Sequence, residues 1–349
     1  MTTSTGIWLR RESGVTEQRT PLVPGDAAEL VAAGTRVTVE ESGNRVFPAA
    51  AYEAAGCRVV PADTWPDAPP DDIVLGLKEP SPASFALSHR HVFFGHAYKG
   101  QDGGPALLRR FAAGRGTLLD LEYLTDATGR RVVAFGYWAG YAGAALAVLH
   151  HRGLLAAPLA SWTRPELDGR LRGRATGATR ALVVGALGRS GRGAREALAV
   201  AGVAATAWDV AETRDLDREA LLGHDLLVNA VLASEPGTPF LTGADFGHPG
   251  RRLSVVSDVS CDVTSACNRL PVYRRVTDWA EPVRRLAAAP PLDLIAIDNL
   301  PSLLPRESSA AFSRDLLPRV TDLLAGRGAV WGRCEQHFHH ALRTMTSDK

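Results

Sequence analysis

The stretch ALVVGALGRSGRGAREALAVAGVAATAWDV, residues 181–210, decides the fold of this chain. An apolar run leads into a glycine-rich turn, a helical pattern follows, and a second apolar run ends at Asp209. Glycines at such a turn let a pyrophosphate approach the backbone N–H groups of a helix N-terminus, and the carboxylate after the next strand can bind ribose hydroxyls. The stretch therefore predicts a dinucleotide site formed by Gly185, Gly188, Arg189, Ser190, Gly191 and Asp209.

The spacing of these glycines is G-x-x-G-x-x-G rather than the commoner G-x-G-x-x-G, so a glycine-rich turn without a ligand stays an alternative. Asp209 would repel the 2′-phosphate of NADP and so favours NAD as the cofactor. Arg214 lies nearby in the sequence and leaves that preference open.

Short apolar strands alternate with helical patterns on both sides of this stretch, which predicts mostly parallel sheets covered by helices. A chain of 349 residues fits two domains of roughly 100–200 residues each. The polar, glycine-rich tract 165–180 predicts a linker or an elaborated loop before the second sheet. Residues 132–135 predict a short strand, and Ser308 and Ser309 predict the start of a C-terminal helical region.

Composition narrows the classes of function. A net charge of +1 argues against a protein built to bind nucleic acid, and the cysteines show no metal-ligand spacing. The apolar run 132–149 is just long enough to raise a membrane span, but its glycines favour a buried helix. The N-terminus shows no apolar signal segment, so we expect a cytoplasmic protein with no metal, no membrane and no nucleic-acid partner.

Lysine is scarce in this chain, which makes each lysine informative. Lysine and arginine total 39, yet the only lysines are Lys78, Lys99 and Lys349. A lysine that persists against this bias can supply what arginine lacks, an amine that gives up its proton. Lys349 ends the chain, so Lys78 and Lys99 are the candidates for chemistry.

Other candidates follow predicted strands, where α/β folds place their ligands. They are His96, Glu79, Glu122, Arg131 and Asp298, with Arg10, Glu12, Glu17 and Arg19 on an N-terminal loop. An arginine on that loop could hold a substrate carboxylate through two hydrogen bonds. For the charged residues a solvated surface ion pair is the alternative, and for His96 and Asp298 an ordinary structural role.

The order of several motifs resembles one family across residues 7 to 325. These motifs are GLKEP (76–80), GHAYKGQDG (95–103), TLLDLEYLTDATGRRVVAFGYWAGYAGAA (117–145), GALGRSGRGA (185–194) and IDNLPSLLPRESS (297–309). They resemble the NAD-dependent, lysine-forming saccharopine dehydrogenases of fungal lysine synthesis and, more distantly, alanine dehydrogenase and the transhydrogenase NAD-binding subunit.

The resemblance implies an α/β fold of two Rossmann-like domains with mostly parallel sheets and the active site in the cleft between them. It implies a catalytic domain of residues 1–135 with 302–349 and an NAD-binding domain of residues 136–301, entered by a bridging helix at about 136–152. The implied reaction converts saccharopine, NAD and water into lysine, 2-oxoglutarate and NADH. We expect a monomer or a small homo-oligomer.

The resemblance also implies a role for each site residue. Lys78 and His96 match the acid/base pair of the family. The implied substrate contacts are Arg19, Glu79, Lys99, Glu122, Arg131 and Phe135, and Asp298 would lie near the nicotinamide.

Two departures leave alternatives open. Ser190 and Ala230 stand where the fungal proteins carry cysteines, so the cofactor-site disulfide of the family is not available. The segment 260–273, with Cys261 and Cys267, also differs from the pattern. An enzyme of bacterial specialised metabolism acting on another lysine-derived C–N adduct is one alternative, and a catalytically idle NAD-binding protein is the other.

Overall fold

A computed structural model describes residues 5–81, 84–98, 103–173, 178–263 and 265–347. The internal contacts divide the chain into two units, residues 1–134 with 308–349 and residues 135–307. Both units contain a mostly parallel sheet, so the predicted α/β class is confirmed. The boundaries predicted from the sequence, at 135/136 and 301/302, concern domains that fold independently, and they stay a prediction.

The first unit is built on a parallel sheet of six strands in the order β3-β2-β1-β4-β5-β6. Its strands are β1 (Ile7–Leu9), β2 (Val37–Glu40), β3 (Arg58–Val60), β4 (Ile73–Leu75), β5 (Arg90–Phe93) and β6 (Thr117–Asp120). Its helices are α1 (Pro24–Ala32), α2 (Ala49–Ala54) and α3 (Gly104–Gly114). The strand order reverses between β1 and β4, and ligands of α/β folds bind outside the carboxyl ends of strands at such a point.

Two long helices, α9 (Pro305–Leu324) and α10 (Ala329–Ser347), lie towards the C-terminal end of the described residues. Phe338 of α10 packs against Phe111 in the core of the first unit. Ser308 and Ser309 lie inside α9 and do not begin it, so that prediction is wrong. Pro305 starts the helix because its fixed φ suits a first turn, and Ser309 instead accepts a hydrogen bond from Thr20 N at 2.9 Å.

The second unit has a sheet in the order β11-β12-β10-β9-β7-β8, parallel except for β11. Its strands are β7 (Arg180–Val184), β8 (Ala204–Trp208), β9 (Leu226–Asn229), β10 (Val255–Asp258), β11 (Arg284–Ala287) and β12 (Leu292–Ile295). Its helices are α4 (Gly136–His151), α5 (Arg164–Leu171), α6 (Arg189–Val200), α7 (Val210–Arg214) and α8 (Arg218–Leu222). The strand order reverses between β7 and β9, at the glycine-rich turn.

Glycines let α4 and α6 pack backbone to backbone. A Cβ on Gly140 would lie 1.8 Å from Ser190 O, and one on Gly193 would lie 1.9 Å from Tyr137 O. Only residues without a Cβ permit this approach. The glycines that argued against a membrane span are therefore packing positions, and no helix among the described residues is long and apolar enough to cross a bilayer.

Two local predictions from the sequence are wrong. The tract 165–180 contains α5, because Thr163 and Glu166 form a capping box and Leu167 and Leu171 are buried. Residues 132–135 form no strand, since the only β-pairing there is the isolated bridge between Thr125 and Arg131. That bridge closes a turn at Gly129, whose φ is +80°.

Candidate active site

The four charged candidates of the N-terminal loop are buried, so the surface alternative is wrong for them. Arg10, Glu12, Glu17 and Arg19 are each no more than 5% exposed. Arg10 and Glu12 follow β1 at the point where the strand order reverses. Charged groups are buried this deeply only when they are paired or hydrogen-bonded.

Glu12 fixes the backbone of the segment that carries Lys78. Its Oε1 accepts a hydrogen bond from Leu77 N at 2.6 Å and its Oε2 accepts one from Lys78 N at 3.1 Å. Arg10 passes beneath the same segment, with its guanidinium carbon 2.5 Å from where a Cβ on Gly76 would lie. The glycine of the GLKEP motif is therefore needed for Arg10 to occupy this place. Arg10 and Glu12 thus support the backbone from which the Lys78 side chain extends.

Glu17 and Arg19 form a buried two-point ion pair. The Nε of Arg19 donates to Oε1 of Glu17 at 2.7 Å, and Nη2 donates to Oε2 at 2.5 Å. Burial raises the pKa of Glu17, but the charge and hydrogen bonds of Arg19 and the charge of Lys78 outweigh burial and lower it. Glu17 is therefore a carboxylate that faces both cations.

His96 and Glu122 meet at the ends of adjacent strands. His96 follows β5 and is half-exposed, and its Nδ1 lies 3.3 Å from Oε2 of Glu122, which follows β6. The imidazole stacks on Phe94 with an interplanar angle of 17°. His96 has a positive φ of 48°, a backbone conformation that is uncommon outside glycine and is concentrated at functional sites.

The Lys78 and His96 segments come from neighbouring strands of one sheet. Strand β4 pairs with β5, and the pairing continues past both strands because Phe94 N donates to Leu77 O at 3.0 Å. The structure thus places the two predicted acid/base residues on adjacent strand ends, with the Glu122 carboxylate on the next strand.

The remaining candidates in the first unit differ in exposure and in whether their side chains are paired. Glu79 pairs with Nη1 of Arg110 at 2.5 Å, an arginine that also donates to Pro80 O and so fixes the GLKEP segment. Arg131 is exposed. Lys99 lies outside the described residues.

The glycine-rich turn of the second unit has the shape that a pyrophosphate requires. Gly185 has a φ of +80°, and a Cβ on Gly191 would lie 2.1 Å from Gly185 O. Gly188 is exposed and is the N-cap residue of α6, with Arg189 and Ser190 in the first turn. Free N–H groups and the helix dipole at this end attract phosphate, so these residues fit a dinucleotide.

Asp209 lies beside that turn, as a ribose-binding carboxylate should. Its Oδ2 accepts a hydrogen bond from Leu187 N at 3.0 Å, which joins the end of β8 to the turn. A cavity of about 640 Å³ opens next to it, and its lining includes Val210, Leu232, Arg214 and Arg269. Apolar walls beside a carboxylate suit an adenosine.

Phe135 and Asp298 lie in the second unit. Phe135 is partly buried and is the N-cap residue of α4, and Asp298 is exposed after β12. Among the described residues no group of three or more His, Cys, Asp or Glu side chains is placed to hold a metal ion. All four cysteines are free.

Sequence reasoning missed two residues of the site, Asp120 and Arg110. Asp120 is fully buried at the end of β6, two residues before Glu122. Its sequence signal was its place directly after the apolar run 118–119, where a strand end brings a carboxylate to the ligand edge of a sheet. Nothing in the sequence pairs Arg110 with Glu79, since they are 31 residues apart.

Comparison with known proteins gives close relatives over the full chain. Saccharopine dehydrogenase [NAD(+), L-lysine-forming] of Neurospora crassa is 40% identical over 369 residues, covering 98% of this chain and 97% of that protein. The enzyme of the same name from Schizosaccharomyces pombe is 38% identical, covering 97% and 99%. Residues 8–142 match the family model of the alanine dehydrogenase/PNT N-terminal domain.

Solved structures show the same fold at low identity. An L-alanine dehydrogenase aligns with a TM-score of 0.71 at 17% identity, covering 99% of both chains. A transhydrogenase from Sinorhizobium meliloti aligns with a TM-score of 0.65 at 17% identity, covering 91% of this chain and 94% of that one. Both matches support two Rossmann-like domains.

Proposed function

This chain belongs to the NAD-dependent, L-lysine-forming saccharopine dehydrogenase family, and on that premise we propose which bond it breaks and which residues act on it. It is an NAD-dependent oxidoreductase that acts on CH–NH groups, like its relatives. The proposed substrate is saccharopine, a secondary amine in which lysine and a glutaryl unit share one nitrogen. Oxidation followed by hydrolysis would release lysine and 2-oxoglutarate.

Two proton transfers are needed around the hydride transfer. The Gly185–Gly191 turn and Asp209 would hold NAD, which when bound would accept the hydride of the glutaryl α-carbon. A base must take the proton of the secondary amine, and a second group must activate the water that attacks the resulting imine carbon. Positioned acid/base groups contribute roughly 10²–10⁴-fold each to such steps.

Lys78 is proposed as the base for the amine. Its backbone N–H is fixed by Glu12, and its charge faces Glu17 at the point where the strand order reverses. A neutral lysine amine on a supported backbone can take the proton of a substrate nitrogen without first ordering its own segment. This support distinguishes Lys78 from a surface lysine.

His96 is proposed as the group that activates water. Glu122 holds its Nδ1 at 3.3 Å, which leaves Nε2 of the half-exposed ring to exchange protons. A carboxylate on one ring nitrogen fixes the tautomer and the orientation of an imidazole. The observation that carries the whole proposal is this His96–Glu122 pair at the strand end next to the one that carries Lys78.

The charges around this edge suggest how a dicarboxylic substrate is held. Arg131 is exposed and would bind a carboxylate of the glutaryl unit with two hydrogen bonds. Arg19 is expected to take part, although Glu17 engages its Nε and Nη2. Glu79, Lys99 and Phe135 remain proposed contacts for the rest of the substrate.

The test is NADH formation from saccharopine with Lys78→Met and His96→Gln. Each substitution should lower kcat by roughly 10²–10⁴-fold while NAD binding, followed by calorimetry, is retained. His339→Gln is a matched control, because His339 is exposed on α10 and its only described ion pair, with Glu335, is at 3.9 Å. Wild-type kcat in either site variant would remove that residue from the mechanism.

The same assay separates the alternatives. NADH oxidation with 2-oxoglutarate should prefer lysine over other amines and 2-oxoglutarate over pyruvate. Preference for a different amine would indicate another C–N adduct, and NAD binding without turnover of any secondary amine would indicate an idle protein.

A further inference from the structure

Asp120 is a buried carboxyl that the proposed mechanism does not use. It is the last residue of β6 and its side chain is 0% exposed. It is also the N-cap residue of the short 3-10 helix Leu121–Tyr123, and its Oδ1 accepts a hydrogen bond from Glu122 N at 2.9 Å. The carboxyl therefore fixes the backbone of the residue that pairs with His96.

The other carboxyl oxygen faces the segment that carries His96. A Cβ on Gly95 would lie 3.1 Å from Oδ2 of Asp120 and 2.6 Å from a methyl group of Leu118, so a larger residue there would displace these side chains. Oδ2 is buried without a hydrogen-bond partner among the described residues, and the backbone N–H of Gly95 faces the carboxyl and lowers its pKa. Asp120 therefore lies between the segment that precedes His96 and the turn that contains Glu122.

The charge of Asp120 is held in an apolar surrounding. Burial raises its pKa to about 6, against the N–H groups of Glu122 and Gly95, which lower it; the Glu122 charge raises it further and His96 lowers it. The other titratable groups that face it are Tyr98, Tyr123 and Cys334. Burial raises the pKa of all three, Tyr123 and Cys334 to about 12, so they are neutral at pH 7.

Among the described residues, then, the charged groups facing Asp120 are Glu122 and His96. An uncharged asparagine could accept the hydrogen bond from Glu122 N without the cost of burying a charge. The cap alone therefore does not account for a carboxyl at this position. What asparagine could not supply is a negative charge aimed at the imidazole.

We propose that Asp120 is a positioning residue that fixes the His96–Glu122 pair and supplies a negative charge to the imidazole. The inference rests on the proposed function, because it gives His96 an acid/base role. Asp120 does not touch the reacting atoms and acts through Glu122 and His96. Ionised Asp120 stabilises the protonated imidazole, and this support is lost when Asp120 itself takes up a proton.

The experiment compares wild type with Asp120→Asn across pH 5 to 8.5. The ratio of kcat/KM, wild type over variant, should rise with pH through about pH 6 and level off at roughly 10–100-fold, the range for loss of an outer-shell partner. A merely structural role gives a ratio that does not change with pH, and that result would overturn the proposal.

Asp72→Asn is the matched control. Asp72 is equally buried and directly precedes β4, at the amino ends of the strands of the same sheet. Its Oδ1 accepts hydrogen bonds from Gly6 N at 2.8 Å and from Arg36 at 2.5 Å. Its replacement should leave the pH dependence of kcat/KM unchanged. A pH-dependent ratio of the same size in this control would refute the assignment to Asp120.

A second readout does not need the substrate. The proton-binding midpoint of the Asp120 carboxyl, followed by NMR, should lie near pH 6 in the wild type and move to higher pH in His96→Gln, because the imidazole charge that lowers it has been removed. An unchanged midpoint overturns the inference even if saccharopine is oxidised. A shifted midpoint supports it even if saccharopine is not the substrate, in which case only the proposed function fails.

Discussion

Replacing Asp120 by asparagine should make the protein more stable at neutral pH while lowering its activity. The pKa of this carboxyl is raised from 3.8 to about 6 in the folded chain, mainly by burial. Between these two pH values the folded state holds the proton more tightly than the unfolded state does. The contribution of Asp120 to stability is therefore full below about pH 4 and is lost as the pH rises through about 6.

The size of the loss follows from the shift. About two pKa units at 1.36 kcal/mol each give about 3 kcal/mol. For a unit of this size, 1 kcal/mol moves Tm by about 2–4 °C, so the effect is about 6–12 °C. Asparagine carries no such pH-dependent cost, and any fixed cost of its amide is the same at every pH.

The assay is urea unfolding of wild type and Asp120→Asn at pH 4, 5, 6 and 7.5. The difference in unfolding free energy should change by about 3 kcal/mol in favour of the variant between the extremes, with most of the change between pH 4 and 6. A difference that stays constant across the series would refute the reasoning, because it would mean that the carboxyl is as well solvated in the folded chain as in the unfolded one.

Three further predictions concern the cofactor, the substrate and the packing. Asp209→Ala should narrow the preference for NAD over NADP, measured as the ratio of kcat/KM values, because it removes both the ribose contact and the repulsion of a 2′-phosphate; equal use of both cofactors by wild type would refute it. Arg131→Ala should lower kcat/KM for 2-oxoglutarate by roughly 10–150-fold, the equivalent of one charge-assisted bond of about 1.5–3 kcal/mol, and change pyruvate use much less. Gly193→Ala should lower the free energy of unfolding by at least about 1–3 kcal/mol, because its Cβ would lie 1.9 Å from Tyr137 O. The control Gly169→Ala, whose Cβ would have nothing within 4 Å, should be neutral or stabilising.

Local rules predicted the turn and most strands, because those elements are specified by residues close together in the sequence. The glycines of the 185–191 turn and Asp209 lie where the pattern placed them. One of the two failures has a local cause and the other a distant one. The capping box of Thr163 and Glu166 was hidden in a polar tract, and the hydroxyl of Ser309 binds Thr20, which is 289 residues away in the sequence.

The candidate site was harder to predict because burial depends on the whole fold. Arg10, Glu12, Glu17 and Arg19 look like a solvated loop until β1 is placed in the middle of the sheet, where the strand order reverses. Then the same four residues are buried close to the segment that carries Lys78. Charge in a loop says little about exposure when the loop follows a central strand.

Buried polar groups at the carboxyl edge of the first sheet lower the stability of the fold. Within the described residues the Nε and Nη2 of Arg10 are buried without a hydrogen-bond partner, and the Asp120 carboxyl is costly to ionise. Unsatisfied donors and buried charges of this kind lower stability and are rare in native cores. Both lie at the carboxyl edge of one sheet, beneath the segments that carry Lys78 and His96. A sequence optimised for stability alone would replace them, so their presence beside the proposed acid/base residues supports the proposal that these charges act on the chemistry there.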